Sequence, residues 1–212
     1  MPPAIPSAPK GPARVAGMLS GSGRTLLNLL DHIENGSLAA IIPIVIASRE
    51  CLGAQRARDR GVPEVLVMPG EIPAEKLGSL LRANAIEWVA LAGYLKLIHV
   101  PRGYEGRIVN IHPALLPDFG GSGMYGERVH EAVIRSGASE SGCTVHLCDA
   151  EYDRGPIILQ KRCPVRPDDT AHTLADRVFA LEREAYPQAL QLLIASGVVP
   201  NQMQSGAGKN HG

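Results

Sequence analysis

The sequence predicts an α/β protein built on an open, mostly parallel, twisted sheet with an antiparallel strand pair in its C-terminal part. Three observations lead to this class. Short β-prone runs alternate with helical periodicity from residue 14 to residue 92, as in right-handed βαβ crossovers. The segment IEWVALA at 86–92 is almost continuously apolar, as in a parallel strand covered on both faces. Two later strands are joined only by AEYDRG, which is too short for a crossover.

The first half of the chain supplies the predicted parallel strands, at 14–19, 41–47, 64–68 and 86–92. Apolar residues at i, i+4 and i+7 predict the first helix, which ends at the helix-stop pair Asn35-Gly36. A second helix is predicted at 54–60 and ends at Gly61. Pro73 opens a third helix. These elements give the repeated strand–helix rhythm of a Rossmann-like sheet.

The rhythm changes after residue 107. A strand is predicted at 107–111, a helix at 127–135, and two antiparallel strands at 143–149 and 157–165. The final predicted helix spans 170–196, and Pro187 should kink it or end its regular part.

Composition limits the classes of function. The chain has 212 residues, 45% of them hydrophobic, and a formal net charge of +0, which suits a protein with a sizeable core and argues against a polyanion binder. We therefore expect small-molecule partners, with neither nucleic acid nor a membrane. No apolar run approaches the roughly 20 residues of a membrane span. The four cysteines form no C-x-x-C pair, which indicates a reducing compartment and a cytoplasmic protein.

We expect one domain over residues 14–200. The proline-rich segment 1–13 is interpreted as a disordered leader, and the Gly/Asn/Gln-rich segment 201–212 as a disordered tail. The sequence leaves the choice between a monomer and a homodimer open.

The loop SGSGRT at 20–25 joins the first strand to the first helix. Unpaired backbone N–H groups and the helix dipole make such a junction an anion site, and phosphate is the expected ligand. It is not a complete dinucleotide fingerprint, because Leu26 stands at the position of the third glycine. Arg49, just after the second strand, keeps an NADP-dependent reductase open as an alternative.

The segment IVNIHPALLP at 108–117 carries the stronger chemical signal. Asn110 and His112 are two residues apart on a strand, so both side chains lie on one face. Together they could stabilise a developing oxyanion, the His in its charged form. Asp153, in the turn between the two antiparallel strands, is a candidate for keeping His112 protonated. An ordinary turn aspartate is the competing interpretation. His146, in the alternating strand CTVHLC, is interpreted as structural, and His130-Glu131 lacks the second histidine of a zincin helix.

These motifs in this order resemble the phosphoribosylglycinamide formyltransferase family. The resemblance runs from about residue 14 to residue 199. It is carried by LSGSGRTL, LAGYLKLI, IVNIHPALLP, GCTVHLCDAEYDRGPIILQ and ALEREAYP. Arg24-Thr25 departs from the family's more usual Ser-Asn pair, and the stretch DFGGSGMYGERVH is longer and richer in glycine than the common version.

The resemblance implies formyl transfer from 10-formyltetrahydrofolate, as co-substrate, to the amine of 5′-phosphoribosylglycinamide, with no metal. Its implied catalytic residues are Asn110, His112 and Asp153. The implied phosphate-binding residues are Gly21, Ser22, Gly23, Arg24 and Thr25, and Glu182 is implied to contact the substrate amine. The implied folate-binding residues are Leu95, Lys96, Leu97, Ile98, Asn110, Cys148, Asp149 and Ala150.

Other functions remain open at this stage. A formyltetrahydrofolate deformylase would use the same Asn, His and Asp with water as the acceptor. The NADP-dependent reductase would leave those three residues without a role. A non-enzymatic nucleotide-binding module would need only the glycine loop.

Overall fold

The protein is described by a computed structural model covering residues 11–149 and 151–197. Within that part of the chain there are seven strands and five helices. The strands are β1 (Ala13–Leu19), β2 (Ala40–Ala47), β3 (Glu64–Val67), β4 (Trp88–Leu91), β5 (Ile108–His112), β6 (Glu140–Leu147) and β7 (Ile157–Pro164). The helices are α1 (Arg24–Glu34), α2 (Leu52–Asp59), α3 (Ala74–Ala83), α4 (Glu127–Ser136) and α5 (Ala171–Ser196).

All seven strands form one sheet in the order β3-β2-β1-β4-β5-β6-β7. The first five in that order are parallel to one another. Strand β6 runs antiparallel to both β5 and β7. The predicted α/β class, with its mostly parallel sheet and antiparallel C-terminal pair, is confirmed. The antiparallel pairing of β5 with β6 adds a contact that the sequence analysis did not identify.

Alternate residues of the central strands enter two separate cores. Val15 and Ala90 face the core under α1, α2 and α5, whereas Ala16 and Val89 face the core under α3. Because neighbouring residues of a strand point to opposite faces, both faces of the sheet must be apolar. This explains why the predicted strands read as continuous apolar runs.

The last helix differs from its prediction. It is helical without a break from Ala171 to Ser196, so the expectation that Pro187 ends its regular part is wrong. Pro187 has no N–H to donate to the carbonyl oxygen of Arg183, one turn earlier. The Nδ2 of Asn28, on α1, donates to that oxygen at 2.9 Å. This side chain therefore replaces the missing helical hydrogen bond and ties α1 to α5.

Some boundaries also shift. Strand β1 begins at Ala13, inside the segment predicted as a leader, and α2 begins at Leu52 rather than at residue 54. The rest of the predicted leader, apart from Gly11 and Pro12, and the whole predicted tail lie outside the described residues. Among the helices of the described part, none is long and apolar enough to cross a membrane.

Candidate active site

A cavity of about 760 Å³ opens at the carboxyl ends of the parallel strands. Its wall includes the loop after β1 at residues 21–25, the end of β4, and the end of β5. The loop 121–127 and one face of α5 complete it. Open α/β sheets bind their ligands at this edge.

The glycine loop lies at one part of this wall, and all five of its predicted phosphate-binding residues, 21–25, line the cavity. Gly23 is the N-cap of α1 and adopts the left-handed conformation, with φ 74°. No side chain caps this helix, and no acidic residue lies in its first turn. The first N–H groups of α1 therefore have no side-chain cap, and the binding of an anion there stays a prediction.

Asn110, His112 and Asp153 converge beside this loop. Asn110 Nδ2 lies 3.4 Å from Asp153 Oδ1, and His112 Nδ1 lies 3.4 Å from Asp153 Oδ2. Asp153 has a positive φ of 57° in the turn that follows β6, and Gly121 N donates to its Oδ2 at 2.9 Å. The His112 and Asp153 side chains are 4% and 9% exposed. The structure thus brings together three side chains that the sequence analysis identified only as separate candidates.

His146 is a fourth member of this cluster, although its sequence context indicated a structural role. It pairs with Asn110 across β5 and β6, and its Nε2 lies 3.1 Å from Asn110 Nδ2 and 3.4 Å from Asp153 Oδ1. Its Nδ1 lies 2.9 Å from the carbonyl oxygen of Leu147, which can only accept. Nδ1 therefore carries a proton, and Nε2 lies between the Asn110 amide and the Asp153 carboxylate.

Burial disfavours the charged form of both central groups, but hydrogen bonds and nearby charges reverse the result for Asp153. Desolvation lowers the pKa of His112 below its ordinary value, although the Asp153 carboxylate and the Phe119 carbonyl oppose that change. Desolvation acts to raise the pKa of Asp153, but the hydrogen bond from His146, the charge of His112 and the Gly121 N–H together leave it lowered. In the free protein this lowering favours the neutral imidazole, and the expectation that Asp153 keeps His112 charged during the reaction stays a prediction.

The Nε2 atom of His112 is also engaged by its own chain. It donates to the carbonyl oxygen of Phe119 at 2.8 Å. Phe119 has a positive φ of 56° and precedes a glycine-rich stretch. A substrate oxygen must replace this carbonyl before it can accept from the same nitrogen.

Glu182 lies on the face of α5 that lines the cavity. Burial raises its pKa to about 7, and the Arg24 guanidinium opposes that rise. The same guanidinium stacks on the Phe179 ring, 4.2 Å from its centroid. Tyr186, one turn further along α5, is fully buried and contacts the carbonyl oxygens of Leu91 and Val109 at 3.1 and 2.8 Å. These contacts fix the helix against β4 and β5, and with it Glu182.

The residues predicted to bind folate are distributed differently. Leu95 and Asn110 line the main cavity, whereas Leu97 and Ile98 line a separate small one of about 260 Å³. Lys96, Cys148 and Asp149 line neither cavity. Ala150 lies outside the described residues. Tyr94 and Tyr152, which the sequence analysis did not single out, also line the main cavity.

Two further residues lie in positions that the sequence did not predict. His130 is 4% exposed, lines the cavity, and has an Nδ1 atom with no hydrogen-bond partner among the described residues. Arg49, the residue that kept NADP binding open, does not line the cavity. Its Nε donates at 2.8 Å to the carbonyl oxygen of Ser20.

No group of three or more metal-ligating side chains is assembled within the described residues.

The fold and this edge of the sheet define a class: a mostly parallel α/β protein with a glycine loop at a helix N-terminus beside an Asn–His–Asp cluster. The formyl transferase family model matches residues 13–190. The chain belongs to the formyl transferase family.

Individual relatives are more specific. A Vigna unguiculata protein described as a chloroplastic phosphoribosylglycinamide formyltransferase is 40% identical over 194 residues. That alignment covers 88% of this chain but 62% of the relative. A solved glycinamide ribonucleotide transformylase 1 from Symbiobacterium toebii has 35% identity and a TM-score of 0.79, covering 87% of this chain and 89% of that one. A formyltetrahydrofolate deformylase from Pseudomonas syringae shares the fold with a TM-score of 0.76 at 22% identity, over 88% of this chain and 63% of its own.

Proposed function

We propose that this protein transfers the formyl group of 10-formyltetrahydrofolate to the amine of 5′-phosphoribosylglycinamide, a step of purine biosynthesis. The observation that carries the proposal is the convergence of Asn110, His112 and Asp153 beside the glycine loop in one cavity. Relatives described as phosphoribosylglycinamide formyltransferases support the substrate class. The deformylase is similar in fold alone.

The substrate amine attacks the formyl carbon and forms a C–N bond, and the formyl oxygen becomes negative in a tetrahedral intermediate. The two N–H groups of Asn110 are not equally engaged: the contact with His146 is 3.1 Å and that with Asp153 is 3.4 Å. The longer contact leaves one N–H available to the oxyanion. A donor of this kind is typically worth about 2.7–4 kcal/mol in the transition state.

His112 is the second donor to the oxyanion. When the formyl oxygen replaces the Phe119 carbonyl at Nε2, it brings negative charge to a ring that already lies beside the Asp153 carboxylate. Both negative groups favour the imidazolium, so the pKa of His112 rises as the intermediate forms. The proton that the attacking nitrogen loses passes through Asp153, directly or through water, to the folate nitrogen, whose bond to carbon then breaks.

The remaining contacts fit the acceptor substrate. Backbone N–H groups of residues 21–25 bind its phosphate, with the Arg24 guanidinium nearby. Glu182 contacts its amine. The folate donor occupies the side of the cavity near Leu95 and Asn110. Small-molecule substrates and a cytoplasmic location are part of the proposal; the four free cysteines support a reducing compartment. Whether the protein acts as a monomer or as a homodimer can be measured by sedimentation.

An absorbance assay of the folate product, with and without the ribonucleotide, tests this function. We expect product formation only when 5′-phosphoribosylglycinamide is present. Product formed equally fast without it would identify a deformylase. No product under either condition would refute formyl transfer.

A further inference from the structure

The phosphate-binding loop is held from behind by the segment that leads into α2. Arg49 Nε donates to the carbonyl oxygen of Ser20 at 2.8 Å, Gly53 N donates to that of Gly21 at 2.9 Å, and an Arg56 side-chain nitrogen donates to that of Ser22 at 2.8 Å. Three consecutive carbonyls of the loop are thus bonded to one neighbouring segment. We call Arg49, Gly53 and Arg56 the loop brace.

The loop brace fixes the direction in which the backbone N–H groups of the glycine loop point. In a planar trans peptide the C=O and the N–H point in opposite directions. The carbonyls of 20, 21 and 22 belong to the same peptides as the N–H groups of 21, 22 and 23. Since the carbonyls point toward the brace, those N–H groups point away from it, toward the cavity that residues 21–25 line. Within the described residues, no hydrogen bond uses these three N–H groups.

The approach of the two segments requires glycine on both sides. A Cβ at Gly53 would lie 2.7 Å from the Gly21 oxygen and 2.9 Å from the Gly23 nitrogen. A Cβ at Gly23 would lie 2.6 Å from the Gly53 Cα. Backbone is therefore packed directly on backbone, so a side chain at Gly53 would displace the loop itself.

We infer that Arg49, Gly53 and Arg56 are positioning residues for substrate-phosphate binding, although none of them lines the cavity. By accepting charged hydrogen bonds, the Ser20 and Ser22 carbonyls also polarise their peptides, which strengthens the opposite N–H groups as donors. This inference rests on the proposed function for the identity of the substrate. It assigns to Arg49 a role different from binding a cofactor phosphate.

Arg56→Met is the main test, because it removes the donor and keeps an apolar stem. We expect the KM for 5′-phosphoribosylglycinamide to rise about five- to tenfold, the scale of one lost hydrogen bond to a charged group. The KM for 10-formyltetrahydrofolate and the kcat at saturation should stay within about twofold. Arg56→Lys, which keeps a charged donor, should recover at least half of the lost affinity. A merely structural role would instead lower kcat and stability together.

Arg58→Met is the matched control. Arg58 lies on the same helix but bonds to Glu50 at 2.7 Å and not to the loop. It should leave both KM values unchanged. Gly53→Ala is the second variant of the brace, and it should weaken phosphate binding by displacing the loop while preserving cooperative unfolding.

Calorimetric binding of ribose 5-phosphate separates this inference from the proposed function. We expect Arg56→Met to weaken that binding about five- to tenfold, whether or not the protein transfers formyl groups. Unchanged ribose 5-phosphate affinity in Arg56→Met and Gly53→Ala would overturn the inference even if formyl transfer is observed. Equal weakening in Arg58→Met would overturn it as well, because the effect would then follow the loss of any positive charge on α2.

Discussion

Replacing Glu182 with glutamine should stabilise the protein increasingly as the pH rises. The pKa of Glu182 is about 7 in the folded protein against an ordinary value of 4.5. The folded state therefore binds the proton more tightly than the unfolded chain. For wild type, this contribution to stability is fully present below pH 4.5 and is lost as the pH rises to 7. The glutamine side chain carries no charge at any of these pH values, so the variant does not undergo this loss.

The magnitude follows from the difference between the two pKa values. At about 1.4 kcal/mol per pH unit, the difference between 4.5 and about 7 corresponds to at most about 3 kcal/mol. Because Glu182 lies on a cavity wall and is only half-buried, screening by water reduces this amount. We therefore expect Glu182→Gln to gain between about 1 and 3 kcal/mol over wild type between pH 5 and pH 8.

Urea unfolding at pH 5, 6, 7 and 8 measures this gain. The single tryptophan, Trp88, is 4% exposed in β4 and reports unfolding by fluorescence. Glu184→Gln is the matched control on the same helix, since Glu184 is exposed and bonds to Lys161 at 2.7 Å, a contact that lowers its pKa. It should show no gain with rising pH. A difference between Glu182→Gln and wild type that is flat or falls from pH 5 to pH 8 would refute the reasoning.

Three other outcomes are expected. Asp153→Asn should fold normally and lose about 10² or more in kcat; wild-type turnover would remove Asp153 from the mechanism. His146→Leu removes a donor that lowers the pKa of Asp153, so the acid limb of the kcat/KM profile should move to higher pH, whereas an unchanged profile would contradict that link. Asn28→Ala should cost about 1–2 kcal/mol in urea unfolding, and clearly less in a Pro187→Ala background, where residue 187 can donate to the Arg183 oxygen; equal costs in both backgrounds would disprove the replacement of that hydrogen bond.

The features predicted best from the sequence are those set by neighbours along the chain. The glycine loop joins a strand to a helix within a few residues, so its position and its free N–H groups follow from local pattern. The continuous apolar strands follow from burial on both faces. Asn110 and His112 could be placed on one face because the period of a strand is fixed.

The features of the candidate site that could not be predicted from the sequence depend on contacts between distant segments. Asp153 contacts Asn110 although the two residues are 43 positions apart in the sequence. Asp153 lies in a turn and has a positive φ. His146 was interpreted as structural because its contact with Asn110 depends on the pairing of β5 with β6. The sequence pattern did not predict that pairing. The lowered pKa of His112 could not be predicted from the sequence, because desolvation depends on packing and here outweighs the nearby carboxylate.

The hydrogen bond between Asn28 and the Arg183 carbonyl also fixes the distance between α1 and α5 at this point. One end belongs to the helix that starts at the glycine loop, and the other to the residue next to Glu182. In the proposed function the substrate's phosphate and amine bind at these two places, so this contact helps to hold the distance between them constant. We expect compounds whose anion and amine are joined by a shorter or longer chain of bonds to bind less tightly, because they would not reach both places at once.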